Sequence, residues 1–466
     1  MKQFNLTILL TVLVSMVSTK AFAYDVAVKN EDGKTIYYNY ITDGTELEVT
    51  YSTNDTYSGN IKIPETVTIL NKTRKVTSIG SKAFRDCSRL TSVTIPASVT
   101  SIGNYAFNKC DYLKKVIVKD IAAWCGISFG NEISNPLYYA KHLYSDEDTE
   151  ITNLVIPDGV TSIGSYAFEY CKGLTSVTIP ASVTSIGSSA FSNCNGLEKV
   201  IVKDLAAWCG ISFVGTNPLY YAHHLYSDEN TEITNLVIPD GVTSIGYHAF
   251  YRCWDLTSVT IPASVTSIDY SAFSYCTGLK KVIVKDLAAW CSISFGDEVS
   301  NPLYYAEHLY SDEDTEITNL VIPDDVTSIS NRAFYYCSGL TSVTIPASVT
   351  SIGSSAFYNC NNLADFVSLI QEPFTVSRIV SDIVYKNGTL YVPQGTMAKY
   401  KATDGWKQFV WMEEGMPTGI KPANGNDNNA TEVQRYTIGG ESVNHPQRGI
   451  NIVKMSDGTA KKVMVK

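Results

Sequence analysis

LTSVTIPASVTSIGNYAFNKC, residues 90–110, is the stretch that decides the fold. Val93 and Ile95 alternate with Thr, the period-two pattern of a strand with one buried face. Pro96 has no N–H to donate and closes that strand. Beyond it the period lengthens: Ile102, Ala106, Phe107, Cys110 and Leu113 fall at steps of 4, 1, 3 and 3. That spacing predicts one apolar face of a short helix or helical turn. The position after the Ile is Gly in most copies and Asp269 or Ser330 in two. All three residue types cap helix N-termini, so the helix is expected to start there.

The phrase recurs. Ala-Phe-x-x-Cys ends at Cys87, Cys110, Cys171, Cys194, Cys253, Cys276, Cys337 and Cys360, with spacings of 23, 61, 23, 59, 23, 61 and 23. The Ile-Pro pair recurs in phase at Pro64, Pro157, Pro180, Pro239, Pro262, Pro323 and Pro346. Self-similarity at these periods means stacked coils, each too small to bury its apolar face alone. Between the regular phrases lies a wider coil. It contains Val-Ile-Val-Lys-Asp-(Ile/Leu)-Ala-Ala-Trp-Cys at 116–125, 200–209 and 282–291, then Asn-Pro-Leu-Tyr-Tyr-Ala-x-His-Leu-Tyr from 135, 217 and 301. Asp120, Asp204 and Asp286 are placed to cap a short Ala-Ala-Trp-Cys helix. The acidic run that follows, Ser-Asp-Glu-(Asp/Asn)-Thr-Glu, reads as a solvated hairpin turn.

The ends depart from the repeat. Residues 1–23 read as a secretory signal peptide: Lys2, an apolar stretch from Leu6 to Val17, and cleavage after Ala23. That stretch is too short and too interrupted for a permanent membrane span, so none is expected in the mature form. Residues 24–75 suit an N-terminal cap, 76–363 the repeat array and 364–414 a C-terminal cap. A polar linker occupies 415–430, and 431–466 form a small strand-rich tail.

Net charge is −10, with no basic concentration able to track a phosphate backbone, which disfavours nucleic acid. The eleven cysteines are odd in number and locked to repeat phase. They therefore read as small buried apolar residues rather than a disulfide framework. No pair has zinc-site spacing, and no cofactor motif occurs. His142, His224 and His308 share one phase near acidic residues; a catalyst needs one site, not three copies, so these read as packing histidines. The acidic turns lack the glycine and distal Glu of a calcium loop. No catalytic, metal or cofactor residues are assigned.

Tyrosine is in excess, at 30 residues. Tyr105, Tyr166, Tyr170, Tyr247, Tyr251, Tyr270, Tyr275, Tyr335, Tyr336 and Tyr358 stand at positions that hold Ser, Asn, Lys, Arg or Glu in sister copies. Interchange with such residues predicts exposure. Exposed Tyr offers rigid amphipathic contact area, so these ten form the candidate protein-binding face.

The run Leu-x-x-Val-x-Ile-Pro-x-x-Val-x-x-Ile-Gly-x-x-Ala-Phe-x-x-Cys resembles the BspA-like leucine-rich repeat proteins of Bacteroidetes and other surface-living microbes. The variant Asp-Leu-Ala-Ala-Trp-Cys with Asn-Pro-Leu-Tyr-Tyr-Ala is also typical of them. The resemblance implies a right-handed, β-rich leucine-rich repeat solenoid, a strand plus a short helix per coil, with capped ends and no cofactor. It implies a secreted or cell-surface location, outside the outer membrane. Its partners would be proteins or glycoproteins on host matrix, host cells or other bacteria, and the role that of an adhesin rather than an enzyme. A carbohydrate-binding surface protein and a structural surface spacer are the other readings. The tail resembles a shortened type IX secretion sorting signal through Tyr436, Gly439-Gly440, Pro446, Gly449-Ile450, Ile452-Val453 and Lys461-Lys462-Val463, departing from it in Gly-Ile-Asn.

Overall fold

The computed structural model describes residues 23–417 and, in the tail, residues 432–437, 442–443, 449–455 and 460–465. The signal segment before residue 23, the linker from 418 and Gly439, Gly440 and Pro446 lie outside the described residues. The chain divides into two compact units, residues 1–234 with 246–255, and residues 235–245 with 256–466. Each is built of parallel strand ladders made from the repeat phrase, the architecture of a β-rich leucine-rich repeat solenoid.

In the first unit the Ser-Val-Thr-Ile phrase forms the long ladder. Gly59–Lys62, Leu90–Ile95, Lys115–Val118 and Leu143–Tyr144 pair in parallel, with Val93 opposite Val116 and Ile95 opposite Val118. Asn153–Val155, Ser176–Ile179, Lys199–Val202 and Leu225–Tyr226 repeat the same sheet. Each Ser-Ile pair makes a short second ladder: Lys72–Ile79 pairs with Ser101–Ile102, which pairs with Ser128–Phe129. Three N-terminal strands, Val26–Lys29, Thr35–Ile41 and Glu46–Thr50, turn antiparallel and close the edge of that sheet. The long ladder starts at Gly59, inside the segment expected to cap the array.

The second unit repeats this plan from Asn235–Val237, Ser258–Ile261, Lys281–Val284 and Leu309–Tyr310. Its last sheet runs Asn319–Val321, Ser342–Ile345, Asp365–Ser368, Thr389–Val392 and Trp411–Glu414, all parallel. The repeat phrase ends near residue 363, but the ladder does not. Phe366, Leu390 and Val392 supply the buried side chains that Val and Ile supply earlier. The tail strands Glu432–Thr437, Ser442–Val443, Gly449–Met455 and Ala460–Val465 form an antiparallel sheet.

The narrow coils correct one expectation. The segment after Ile102 is no helix: Ala106 N–H bonds to Gly103 O, Asn108 to Tyr105 O and Cys110 to Phe107 O, a chain of tight turns. In all eight Ala-Phe-x-x-Cys copies the residue before Ala and the residue before Cys have φ between 55° and 65°. Those left-handed residues point alternate N–H groups at the neighbouring coil. Lys82, Phe84 and Asp86 thus donate to Asn104, Ala106 and Asn108 at 2.7–3.0 Å. Ladder bonding to a neighbour replaces the i→i−4 bonds of a helix. Gly103 is accordingly not a helix cap. It sits where a Cβ would lie 2.5 Å from Ser81 N, a close approach of backbone between coils.

Helices occur in the wide coils instead. Asp120, Asp204 and Asp286 cap Ile121–Cys125, Leu205–Cys209 and Leu287–Ser292, each Oδ1 accepting from the third residue onward at 2.9 Å. The acidic run is the expected hairpin: Asp146 Oδ1 accepts from Asp148 N and Thr149 N, and Tyr144 bridges Glu150. All eleven cysteines are buried and none forms a disulfide. Cys110, Cys194 and Cys360 Sγ reach Phe84, Phe168 and Phe334 O at 3.0–3.1 Å.

Candidate functional site

In each unit the turn segments carry five of the ten tyrosines, at four variable positions around the buried Ala, Phe and Cys. In the first unit Tyr105 and Tyr247 are 44% and 39% exposed, while Tyr166, Tyr170 and Tyr251 are half-buried. In the second unit Tyr270 and Tyr275 are 57% and 49% exposed, and Tyr336 and Tyr358 are half-buried. Tyr335 departs from the expected exposure. It is 8% exposed, and its hydroxyl donates to Glu298 Oε2 at 3.1 Å. The position after Phe leans inward, and burial raises the Tyr335 hydroxyl pKa far above the usual phenol range.

Wide-coil tyrosines gather several of these rings into clusters. Tyr138 packs against Tyr170 with centroids 4.8 Å apart, and Lys141 Nζ lies 4.1 Å above the Tyr170 ring. Tyr220 stacks on Tyr251 at 5.9 Å while the Arg252 guanidinium lies 4.1 Å from the Tyr220 ring. Tyr247 stacks on His248 at 3.8 Å. In the second unit Tyr304 contacts Tyr336 at 4.8 Å and Tyr335 stacks on Tyr358 at 5.9 Å, with Arg378 over Tyr358. Tyr105 and Tyr270 are not gathered into these clusters. Aromatic rings edged by Lys and Arg present both stacking area and cationic donors to a partner.

Two wide-coil residues that the spacing alone left unassigned hold this face in place. Asn135 Nδ2 donates to Tyr166 O at 2.6 Å, Asn217 to His248 O at 2.6 Å and Asn301 to Arg332 O at 2.8 Å. Trp124, Trp208 and Trp290 Nε1 donate to Ala167, Ala249 and Ala333 O at 2.8–2.9 Å. The stack of turns is interrupted at this point, and the indole and amide meet the Ala carbonyl that elsewhere accepts from a neighbouring coil, as Ala106 O does from Phe84 N. The fixed Asn-Pro and Trp-Cys phases were the available signal.

The in-phase histidines face the acidic hairpins. His142, His224 and His308 Nδ1 lie 2.6–2.7 Å from Glu150, Glu232 and Glu316 Oε1. One buried carboxylate is unusual: Glu169 is 4% exposed, and its Oε2 meets no hydrogen-bond partner among the described residues. Burial, aided by Glu132 and opposed by Lys141, pushes its pKa up to about 7. Among the described residues no helix is long and apolar enough to cross a membrane.

A BspA type leucine rich repeat region, in six copies, matches residues 53–123, 141–212, 225–295 and 308–379. No curated protein matches in sequence. Among solved structures, a leucine-rich repeat protein from Bacteroides ovatus is 23% identical, covering 71% of this chain and 92% of that one, with a TM-score of 0.34. A leucine rich cell surface protein from Faecalibacterium prausnitzii is 23% identical over 74% and 95%, TM-score 0.32. The pneumococcal vaccine antigen PcpA is 13% identical over 85% and 100%, TM-score 0.33.

Proposed function

This chain belongs to the BspA-type leucine-rich repeat family, and from that premise we propose that it is an exported cell-surface adhesin that binds a protein or glycoprotein partner and performs no chemistry. One observation carries the reading. On a scaffold whose buried positions repeat almost without change, the variable turn positions hold exposed Tyr105, Tyr247, Tyr270 and Tyr275, and the rings of Tyr170, Tyr251 and Tyr358 edged by Lys141, Arg252 and Arg378. Rigid aromatic area with adjacent guanidinium groups is the composition that protein-recognising surfaces favour. The apolar N-terminal segment and its A-x-A site support export through residues 1–23. The tail strands, with Lys461 and Lys462 on the last of them, support a type IX-like sorting signal that delivers the chain to the surface.

The test is saturable binding of the mature chain to immobilised extracellular-matrix glycoproteins such as fibronectin and fibrinogen, each native and deglycosylated. Binding that survives deglycosylation, and falls at least tenfold when Tyr105, Tyr247, Tyr270 and Tyr275 are changed together to Ser with the fold intact, meets the expectation. Binding that vanishes with the glycan replaces the protein partner with a sugar. Absence of binding to every surface and cell type tried leaves a structural spacer and ends the adhesin reading.

A further inference from the structure

The three His–Glu pairs are not equivalent. Two residues after the repeat cysteine stand Gly173, Asp255 and Gly339 in the three copies. A Cβ added at Gly173 or Gly339 would collide with the Glu150 or Glu316 carboxylate and crowd the His142 or His308 ring. In the middle copy a full side chain occupies that space. Asp255 Oδ2 lies 2.7 Å from His224 Nδ1, and Glu232 Oε1 lies 2.7 Å from the same nitrogen. One ring nitrogen carries at most one proton, so a single N–H cannot give both carboxylates a full hydrogen bond. A cation in place of the proton satisfies all three groups.

We infer that His224, Glu232 and Asp255 form a binding site for a first-row divalent cation of the Zn²⁺ class, in one of the three sister copies. The donor atoms, one imidazole nitrogen and two carboxylate oxygens, lie within 4.8 Å of one another. Zn²⁺ accepts this ligand set at about 2.0–2.2 Å. Donors around such an ion sit about 3.3 Å apart in a tetrahedron, so these side chains need to open by roughly half an ångström. They are 28–50% exposed and free to do so. Ca²⁺ is a poorer match, since it takes about six to eight oxygens, and two carboxylate oxygens converge here beside a nitrogen. Each ligand is held by backbone. His224 O accepts from Val200 N at 3.0 Å, Glu232 pairs with Tyr226 across the hairpin, and Asp255 follows the turn that buries Cys253. Trp254, also peculiar to this copy, stacks on His223 at 3.7 Å beside the site. Three protein ligands leave a fourth position open to water or to a donor from a partner.

The experiment titrates the full chain, stripped with chelator, with Co²⁺ and then displaces it with Zn²⁺. We expect one Co²⁺ per chain, visible d–d absorption of a nitrogen–oxygen site and no near-ultraviolet thiolate band. Asp255→Gly, which restores the sister-copy composition, and Asp255→Asn, which keeps the volume, each weaken binding at least tenfold with an unchanged circular-dichroism spectrum. His224→Gln removes the visible bands. The inference is overturned by no binding, which leaves the three side chains as a hydrogen-bonded cluster only. It is equally overturned by three equivalents per chain, by a thiolate band, or by affinity unchanged in both Asp255 variants.

Discussion

Sixteen non-glycine residues with left-handed backbone carry the narrow coils, and each holds a conformation that L-residues pay to adopt. At the exposed Lys82, φ 63°, a Lys82→Gly change is expected to stabilise the chain by up to about 1 kcal/mol. Lys82→Val is expected to cost about 1–2 kcal/mol, because a β-branched side chain tolerates that region worst. Chemical denaturation of both variants checks the pair. Glu169 makes the second prediction at this scale. Its folded pKa of about 7 lies above the ordinary carboxyl value of 4.5, so the folded state holds the proton longer than the unfolded one. Stability is therefore highest below pH 4.5 as far as this group is concerned, and falls as pH rises toward 7. The loss is at most about 3 kcal/mol. Glu169→Gln should flatten that part of the stability–pH curve; an unchanged slope in thermal melts from pH 4 to 8 would refute it. The tyrosines show how far residue identity reaches: interchange with Ser and Lys marked the turn face, but not that Tyr335 sits at an inward-leaning position.

At the scale of elements, the wide coil is the joint that spans each interruption of the short ladder. Trp124 is 1% exposed and donates across the gap to Ala167 O. Trp124→Ala is expected to cost about 3–5 kcal/mol through the lost ring and its hydrogen bond to Ala167 O, which keeps only Asn135 Nδ2 at 3.1 Å. Asp120→Ala, which removes only the helix cap, should cost about 1 kcal/mol. Denaturation midpoints of the two variants, measured side by side, test the ranking; equal losses would mean that the joint does not depend on the indole. The capped wide-coil helices, the hairpins and the buried cysteines were legible because side-chain type and spacing determine them locally. The narrow-coil turns were not. Apolar residues at steps of 3 and 4 suit a helix and a chain of left-handed turns equally, and hydrogen bonds to a neighbouring coil choose between them.

At the scale of the molecule, stability belongs to the stacked ladders rather than to any coil. The strands between residues 26 and 50 cover the edge of a sheet whose next strand carries buried Val76 and Ile79. A chain beginning after Thr50 exposes that edge, and is expected to aggregate or to unfold several degrees lower. Size-exclusion chromatography and a thermal melt of the truncated chain check this; a monomer of unchanged melting temperature would show that the edge needs no cover. The same dependence explains why the ladder outlasts its phrase. Phe366, Leu390 and Val392 keep an apolar side chain at the stacking position after the repeat has gone.

The repeat period, the strand phrase and the burial of every cysteine followed from the sequence alone, because identical side chains at identical phase can pack only by stacking. Contacts between coils decided the rest. Neighbouring carbonyls select the left-handed turns, the Asn and Trp side chains close the gaps between sheets, and the turn that follows Cys253 brings Asp255 to His224. These depend on groups about 20 to 40 residues apart in the chain, as the hydrogen bonds between coils show, and no local pattern specifies which of them meet.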